Sequence, residues 1–404
     1  MKLIRRILLT LFIFILLVSL IAGVFFRREA RRLYYVITLF DQDKISQNFR
    51  GIVDIFPTSV VKKPDRPNRF PYATSRIQLP AYFSHEDSTI NTQNFLDYTL
   101  TDGLLIIHHD TIVFEQYSNG FSETDHHISW SMSKSFISAL FGIAISEGKI
   151  KSIEQTVTEY LPELKGTGYD GVRIKDVLQM STGVGFNEDY GDFNSDINRM
   201  GRYLALGMSM DDFAASLKRE RTPGTYNHYV SVNTHVLGMI LKRVTGQSIA
   251  QYMEERLWQK IGAESDGYWI VDDTGMEFVL GGLNLIMRDY AKIGQLYLDS
   301  GRWQGQQIVP ESWVLASITP DAPHLIPGSP NSNRPSGYGY QWWIPEGGDD
   351  EFLAQGIYNQ FIYVDPDKAL VLVKLSSNYR FKKEKISSRN ITLSFFRTIA
   401  EGLN

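Results

Sequence analysis

The sequence Trp130-Ser131-Met132-Ser133-Lys134-Ser135-Phe136 places a hydroxyl and an amine one helical turn apart, at the start of a long apolar segment. Side chains at positions i and i+3 lie on the same face of a helix. An amine at that position can take the hydroxyl proton when burial lowers its pKa. The spacing of Ser131 and Lys134 therefore indicates a serine that is activated as a nucleophile.

The same spacing of serine and lysine recurs at positions 59–62 and 146–149, so the spacing alone is weak evidence. The first of these copies lies in an irregular stretch flanked by proline, and the second closes a helix. Ser131 instead begins a helix, where free backbone N–H groups and the positive end of the helix dipole can stabilise a developing anion. We therefore take Ser131 and Lys134 as the candidate nucleophile and base.

An apolar run over residues 7–26 predicts a transmembrane helix, because about 20 residues at roughly 1.5 Å each can cross the hydrocarbon core of a bilayer. A cleaved signal peptide is the alternative, although no small-x-small pair ends the run. Basic residues flank both sides, so charge does not fix the orientation. We expect residues 1–32 to anchor the protein in the membrane, with the catalytic domain outside the cytoplasmic membrane.

The composition excludes several classes of protein. The chain has 404 residues, no cysteine and a net charge of −4. Residues 1–32 carry seven basic residues and one acidic residue, so the remaining chain has a net charge of −10 and is a poor nucleic-acid binder. The lack of cysteine excludes disulfides, thiolate catalysis and cysteine-ligated metals. The remaining length suggests one large domain with an inserted subdomain or a second layer.

The pattern along the chain predicts an antiparallel sheet built from both ends of one domain. Residues 33–94 are broken by prolines and show no sustained period, which indicates a stalk and wrapping segment. β-Rich runs at 104–107 and 111–114 around a polar turn predict a hairpin. A helix from Ser131 to Ile145 and a mostly helical region to about residue 259 follow.

Sheet signals return near the end of the chain. Residues 360–364 and 369–373 predict a second hairpin, and residues 391–399 predict a closing helix. Strands at both ends of a domain over residues 95–404, with helices between them, predict an α+β fold rather than alternating β-α-β units.

A candidate for the third catalytic group follows a Pro-Gly turn. Pro223-Gly224-Thr225 leads to Tyr229, whose phenol can pass a proton to a leaving group, although a half-buried packing tyrosine is the alternative. The histidines lack the i, i+4 spacing with an intervening glutamate that marks a zinc hydrolase, so we expect no metal and no cofactor. Ser131 also lacks the Gly-x-Ser-x-Gly elbow of α/β-hydrolases.

Four ordered segments resemble one known superfamily. Residues 131–136 resemble the first motif of the serine β-lactamase and penicillin-binding-protein superfamily, in the branch of class C enzymes, DD-peptidases, esterases and 6-aminohexanoate-dimer hydrolases. The segment from Pro223 to Tyr229 matches the second motif of that branch, and residues 172–183 and 281–294 resemble two further signatures. The resemblance implies a β-lactamase/transpeptidase-like fold, in which helices flank an antiparallel sheet and form a mainly helical subdomain.

The resemblance also implies roles for individual residues. It implies that Ser131 is acylated, that Lys134 is its general base, and that Tyr229 relays the proton to the leaving group. The usual Tyr-x-Asn reads Tyr229-Val230-Ser231 here, similar to the aminohexanoate-hydrolase branch. Ser231 can therefore still donate a hydrogen bond, but it lacks the two functions of an amide.

The strand motif of the family, Lys-Thr-Gly or His-x-Gly, is best matched by Ala354-Gln355-Gly356, which has no cation to bind a substrate carboxylate. The resemblance implies that Gly356 lets this strand approach the substrate and that the Ile357 N–H joins the Ser131 N–H in an oxyanion hole. The loop over residues 183–190 resembles the segment that lines the cleft in aminohexanoate-dimer hydrolases, which implies that Tyr190 is a candidate hydrogen-bond partner for a scissile amide. The alternative for its loop is a turn with solvated acids and a packing tyrosine.

These observations lead us to expect a membrane-anchored serine hydrolase that cleaves an ester or amide of a small molecule through an acyl-enzyme, without a cofactor. β-Lactamase or DD-peptidase activity is an alternative within the enzyme class. A non-catalytic envelope binding module is the alternative from another class, and the intact Ser131, Lys134 and Tyr229 argue against it. Trp342 and Trp343 fit either an aromatic wall of the site or the core.

Overall fold

The computed structural model describes residues 2–348, 350–384 and 386–403; within its first helix it describes the side chains of residues 4–14 and 16, and at residue 386 the backbone alone. The α-helices are α1 Lys2–Phe25, α2 Arg27–Thr38, α3 Ile45–Gly51, α4 Thr92–Tyr98, α5 Ser133–Ser146, α6 Val157–Tyr160, α7 Ile174–Leu178, α8 Asp196–Ala205, α9 Met210–Ser216, α10 Ser231–Thr245, α11 Ile249–Met253, α12 Met287–Leu298, α13 Glu311–Ile318, α14 Phe381–Glu384 and α15 Ile386–Gly402. The strands are β1 Thr58–Val61, β2 Tyr82–His85, β3 Ser88–Asn91, β4 Thr101–His108, β5 Thr111–Tyr117, β6 His127–Ile128, β7 Gly267–Ile270, β8 Leu283–Leu285, β9 Arg302–Trp303, β10 Gln306–Gln307, β11 Gly337–Tyr338, β12 Trp343–Ile344, β13 Phe352–Gly356, β14 Gln360–Asp365 and β15 Leu370–Ser376. Short 3-10 turns lie at Ile52–Asp54, Trp130–Met132 and Pro162–Leu164, and a π-helix at Glu254–Trp258.

The main sheet joins strands from both ends of the domain. Its seven strands run in the spatial order β11, β12, β13, β14, β15, β4, β5, and each neighbouring pair is antiparallel. β4 and β5 form the first predicted hairpin, and β14 and β15 form the second. The structure therefore confirms the α+β prediction and the closure of the sheet by distant segments.

Helices cover both faces of this sheet because its strands are apolar on both sides. Val371 and Val373 of β15 belong to the core that includes α5, α10 and α12. Leu370 and Leu372, which point to the opposite face, pack in a second core with α15. The helices from α5 to α11 form the mainly helical region beside the sheet.

A smaller four-stranded sheet leads the chain to Ser131. Its strands run in the order β1, β7, β8, β6, and β6 pairs with β8 just before the candidate nucleophile. The Ser129 N–H donates to the Leu283 carbonyl (2.7 Å), and the chain then turns through Trp130, whose φ is 44°. Ser131 lies in this 3-10 turn, two residues before α5 rather than at the helical start predicted from the sequence.

The segment over residues 33–94 wraps the domain and contributes to its core. Leu39, Phe49, Ile52 and Phe56 are buried in the same core as α5 and α10. Phe49 packs edge-on against the ring of Trp130, with ring centroids 5.4 Å apart. The segment therefore supports the turn that carries Ser131.

The prediction of a membrane anchor is wrong. Across the part of the chain that the structure describes, no helix has both the length and the apolar character that crossing a bilayer requires.

We predict that Gly142→Ala destabilises the protein, although alanine ordinarily stabilises a helix interior by up to about 1 kcal/mol relative to glycine. A Cβ on Gly142 of α5 would lie 2.4 Å from the indole ring of Trp313, so the helix and the ring would have to separate. We expect a loss of about 1–3 kcal/mol in the free energy of unfolding, measured with urea.

Gly201→Ala in α8 is the matched control, because its Cβ would meet Val36 at an ordinary contact distance of 3.9 Å. This variant should be neutral or slightly stabilised. Equal stability of the two variants would show that α5 and Trp313 adjust without cost.

Candidate active site

A polar cleft of about 390 Å³ lies over Ser131, between the loop before α8, the residues before α10 and the end of β13. Tyr190, Tyr229, Gly356 and Ile357 line this cleft together with Ser131. Lys134 lies buried behind Ser131, and Ser231 connects to the cleft through Glu188. The structure therefore brings all seven residues singled out in the sequence to one place.

Lys134 is buried beside the Ser131 hydroxyl. Its side chain extends from the first turn of α5, its Nζ lies 3.0 Å from Ser131 Oγ, and it donates to the Leu280 carbonyl at 2.6 Å. Burial lowers the pKa of Lys134 to about 7, and the negative charge of Glu188 acts in the opposite direction. A large fraction of the amine is therefore neutral at neutral pH and able to accept a proton.

Tyr229 lies on the other side of the amine. The Lys134 Nζ is 5.4 Å from the centre of its ring, and the ring stacks on Trp343 at 5.1 Å. Burial first, and then the charge of Glu188, raise the pKa of the phenol well above its usual value; the hydroxyls of Ser131 and Ser231 oppose this shift. Tyr229 is therefore a neutral phenol at physiological pH.

Glu188 organises the site, although the sequence singled out only Tyr190 in this loop and gave a turn with solvated acids as the alternative. Its carboxylate accepts hydrogen bonds from the Tyr190 hydroxyl (2.6 Å), the Ser231 hydroxyl (2.6 Å) and the Ser231 N–H (3.1 Å). Ser231 is the first residue of α10, so the carboxylate also meets the positive end of that helix. Glu188 thereby ties the loop to the helix that follows Tyr229.

Gly356 allows β13 to approach the turn that carries Ser131. A Cβ at Gly356 would lie 2.7 Å from the Ser129 carbonyl oxygen and 3.3 Å from the Trp130 Cβ. Any larger residue would therefore push the strand away from the turn. Ile357, the next residue, lines the cleft beside Ser131.

Two arginines supply positive charge to the cleft. The family's strand motif has no cation here, since Ala354 takes its place and is buried, but Arg334 and Arg389 reach the cleft from other segments. Arg389 on α15 is 6% exposed, donates to the Ser336 hydroxyl, and has its pKa lowered to about 10 by burial. Within the described residues, neither Arg334 Nε nor Arg389 Nε has a hydrogen-bond partner.

No local sequence pattern marks these two arginines as site residues, because their segments are far from Ser131 in the chain.

The two neighbouring tryptophans, Trp342 and Trp343, have different environments in the structure. Trp343 lines the cleft, whereas Trp342 is buried and packs on Tyr297. Trp343 therefore belongs to the wall of the cleft and Trp342 to the core, although the two residues are adjacent in the sequence.

The other two copies of the serine and lysine spacing have different partners. The Ser146 hydroxyl donates to the Ile143 carbonyl of its own helix (2.8 Å). Lys62, three residues after Ser59, is exposed and forms an ion pair with Asp266 (2.7 Å). Burial of the amine against the hydroxyl thus distinguishes the pair at Ser131 and Lys134.

We predict that Lys134→Met changes the pH dependence of stability. In the unfolded chain Lys134 keeps its proton up to about pH 10.5, whereas in the folded protein it loses it near pH 7. The unfolded state therefore binds more protons between these values, and this group makes the wild type more stable as the pH rises. Relative to the variant, the wild type should gain up to about 1.4 kcal/mol per pH unit over this range.

Urea unfolding at several pH values between 7 and 10 measures this difference, and the other titrating groups cancel because both proteins contain them. Parallel stability profiles of the two proteins would show that the pKa of Lys134 is not depressed.

Comparison with known proteins agrees with this geometry. The family model described as Beta-lactamase matches residues 99–391. A 6-aminohexanoate-dimer hydrolase of Paenarthrobacter ureafaciens is 33% identical over 291 residues, which cover 70% of this chain and 74% of that protein.

Solved structures have the same fold. One is named "Putative 6-aminohexanoate-dimer hydrolase from Bacillus anthracis"; it has a TM-score of 0.81 and 27% identity, over 90% of this chain and 96% of that chain. EstCE1, a hydrolase with promiscuous acyltransferase activity, matches in fold alone, with a TM-score of 0.60 and 15% identity over 75% of this chain and 95% of that chain. The motif resemblance is confirmed: the chain belongs to the beta-lactamase family of serine hydrolases.

Proposed function

We propose that this hydrolase cleaves an amide or ester of a small molecule through an acyl-enzyme on Ser131, with Lys134 as the general base. The observation that carries the proposal is the buried Lys134 amine, which lies 3.0 Å from Ser131 Oγ and has a pKa of about 7. An amine with that pKa is close to the best compromise between being unprotonated and being basic at neutral pH.

The proposed reaction has two stages, acylation of Ser131 and hydrolysis of the acyl-enzyme, and each group of the site acts once in each stage. Lys134 takes the hydroxyl proton as Ser131 Oγ attacks the carbonyl carbon, and the N–H groups of Ser131 and Ile357 stabilise the oxyanion. The neutral phenol of Tyr229 gives its proton to the leaving amine or alcohol and regains one from Lys134. Water then attacks the acyl ester by the same route and restores the Ser131 hydroxyl.

Linear amides and esters are the proposed substrates. The relative from Paenarthrobacter ureafaciens is named for the hydrolysis of a 6-aminohexanoate dimer, and it aligns with most of this chain. Tyr190, whose hydroxyl already donates to Glu188, lies in the cleft where it can orient a scissile amide. The charges of Arg334 and Arg389 favour a leaving portion that carries a carboxylate.

A second candidate follows from the same two arginines. They can bind the carboxylate of a β-lactam or of a peptidoglycan peptide, although β13 lacks the usual cation. Hydrolysis of nitrocefin, or stable labelling by a fluorescent penicillin, without turnover of p-nitrophenyl butyrate would favour this β-lactamase or DD-peptidase function.

The first prediction of the proposal concerns covalent labelling. A fluorophosphonate probe should add once to the wild type and not to Ser131→Ala, as measured by mass spectrometry of the intact protein. Ser146→Ala is the matched control, because Ser146 also lies three residues before a lysine but is bonded within its own helix. Labelling of folded Ser131→Ala, or no labelling of the folded wild type, would contradict the proposal.

The second prediction concerns pH. The value of kcat/KM for p-nitrophenyl butyrate should rise with pH around a midpoint near 7, as Lys134 loses its proton. In Glu188→Gln the midpoint should move to lower pH, because the negative charge that favours protonated Lys134 is removed. Glu220→Gln serves as the control, because the charge of Glu220 acts on His228 of the cleft but not on Lys134. An unchanged midpoint in Glu188→Gln would exclude this coupling.

A further inference from the structure

A second cavity, which we call the apolar pocket, meets the polar cleft at Ser131. It has a volume of about 290 Å³, and its walls include Val36, Phe40, Trp130, Phe193, Ile197 and Leu280. Ser131, Tyr190, Ile357 and Lys382 line both cavities. The candidate nucleophile therefore lies between a cleft that contains several polar and charged side chains and a pocket whose wall is mostly apolar.

The charged side chains on the wall of the apolar pocket are Arg202 and Lys382, and both rest on aromatic rings. The Arg202 guanidinium lies 4.1 Å from the centre of the Phe193 ring and donates to the Phe193 carbonyl. The Lys382 amine lies 5.0 Å from the centre of the Phe40 ring. The remaining wall is mostly aliphatic and aromatic, which suits an apolar group.

The position of Tyr229 decides which part of a substrate enters each cavity. Tyr229 lines the polar cleft, and it is not among the described residues of the apolar pocket. Since its phenol is the proton donor of the proposed function, the leaving group must lie in the polar cleft. The acyl group, on the other side of the carbonyl carbon, then faces the apolar pocket.

We propose that the apolar pocket binds the acyl group of the substrate and selects unbranched, medium-length alkyl chains. This proposal rests on the proposed function and names the substrate class. The volume is near the lower end of the roughly 300–1,000 Å³ of small-molecule pockets, and fits one alkyl chain better than a bulky ring system. Exposed Ile37 (58%) and Phe193 (63%) on the pocket wall give it an apolar mouth.

The N-terminal segment supplies one wall of this pocket. Val36 and Ile37 lie on α2, which precedes the matched residues 99–391 of the family model. Arg32 of α2 is buried and pairs with Asp273 (2.9 Å), and Arg28 pairs with the same carboxylate (2.6 Å). These pairs hold the helix over the pocket, so chain-length selectivity depends on a segment outside the region that the family model matches.

The proposal is tested on the wild-type protein by measuring kcat/KM for p-nitrophenyl esters of increasing acyl chain length. Burial of apolar surface is worth about fourfold in binding per methylene. We therefore expect kcat/KM to rise at least tenfold from p-nitrophenyl acetate to p-nitrophenyl octanoate. The reversed series, from ethyl acetate to octyl acetate, places the chain in the leaving group and should show no such rise.

Gly201→Leu fills the pocket from α8 without a backbone clash, because the nearest atom to its Cβ is Val36 Cγ1 at 3.9 Å. For this variant, turnover of the octanoate should fall to within about threefold of turnover of the acetate. The matched control is Gly402→Leu, which also adds a leucine to a helix but has nothing within 4 Å of its Cβ. Gly402→Leu should show the same dependence of kcat/KM on acyl chain length as the wild type. Thermal unfolding checks that both variants fold.

Three results would overturn the proposal alone while the proposed function stands. The first is normal turnover of the acetate with no increase in kcat/KM as the acyl chain lengthens. The second is an increase in kcat/KM with the length of the alcohol chain. The third is a folded Gly201→Leu that keeps the wild-type increase with acyl length. No turnover of any ester together with no fluorophosphonate adduct would overturn the proposed function as well.

Discussion

The site depends on one unfavourable event, the burial of the Lys134 amine. Transfer of an unpaired ammonium ion from water to the protein interior costs several kcal/mol or more of free energy. The buried amine of Lys134 therefore loses its proton more readily. Its hydrogen-bond partners are a hydroxyl and the Leu280 carbonyl, and Glu188 acts on it through its charge rather than through a hydrogen bond. A carboxylate in direct contact would stabilise the charged form and remove the basicity. The packing of α5 against the turn before β8 therefore sets the protonation of the site.

The surrounding elements are arranged around this pair. Trp130 adopts a left-handed backbone conformation, which the aromatic contacts of Phe40 and Phe49 hold in place. Gly356 lets the end of β13 contact the same turn. The result is a hydroxyl at the meeting point of a polar cleft and an apolar pocket, so that the two halves of a substrate meet different environments.

The sequence allowed the architecture and the central residues to be predicted because their signals are local. Hairpins and the α5 helix follow from periodicity, and Ser131, Lys134 and Tyr229 occur in short motifs at fixed spacing. Glu188 and Arg389 could not be predicted in the same way, since their importance comes from tertiary contacts across long stretches of chain. The membrane anchor was inferred from hydropathy alone and is not supported by the described part of α1.

The position of β4 between β5 and β15 has a consequence for synthesis of the protein. β4 is almost entirely buried in the folded sheet, yet its second neighbour, β15, is made only after most of the domain has been synthesised. Until then the nascent chain exposes one apolar strand edge, which favours association with chaperones or other chains. The Ser131 hydroxyl and the Lys134 amine are also made long before β13 can complete their surroundings. A partly synthesised chain therefore lacks an assembled site, and hydrolysis begins only when the last strands have joined the sheet.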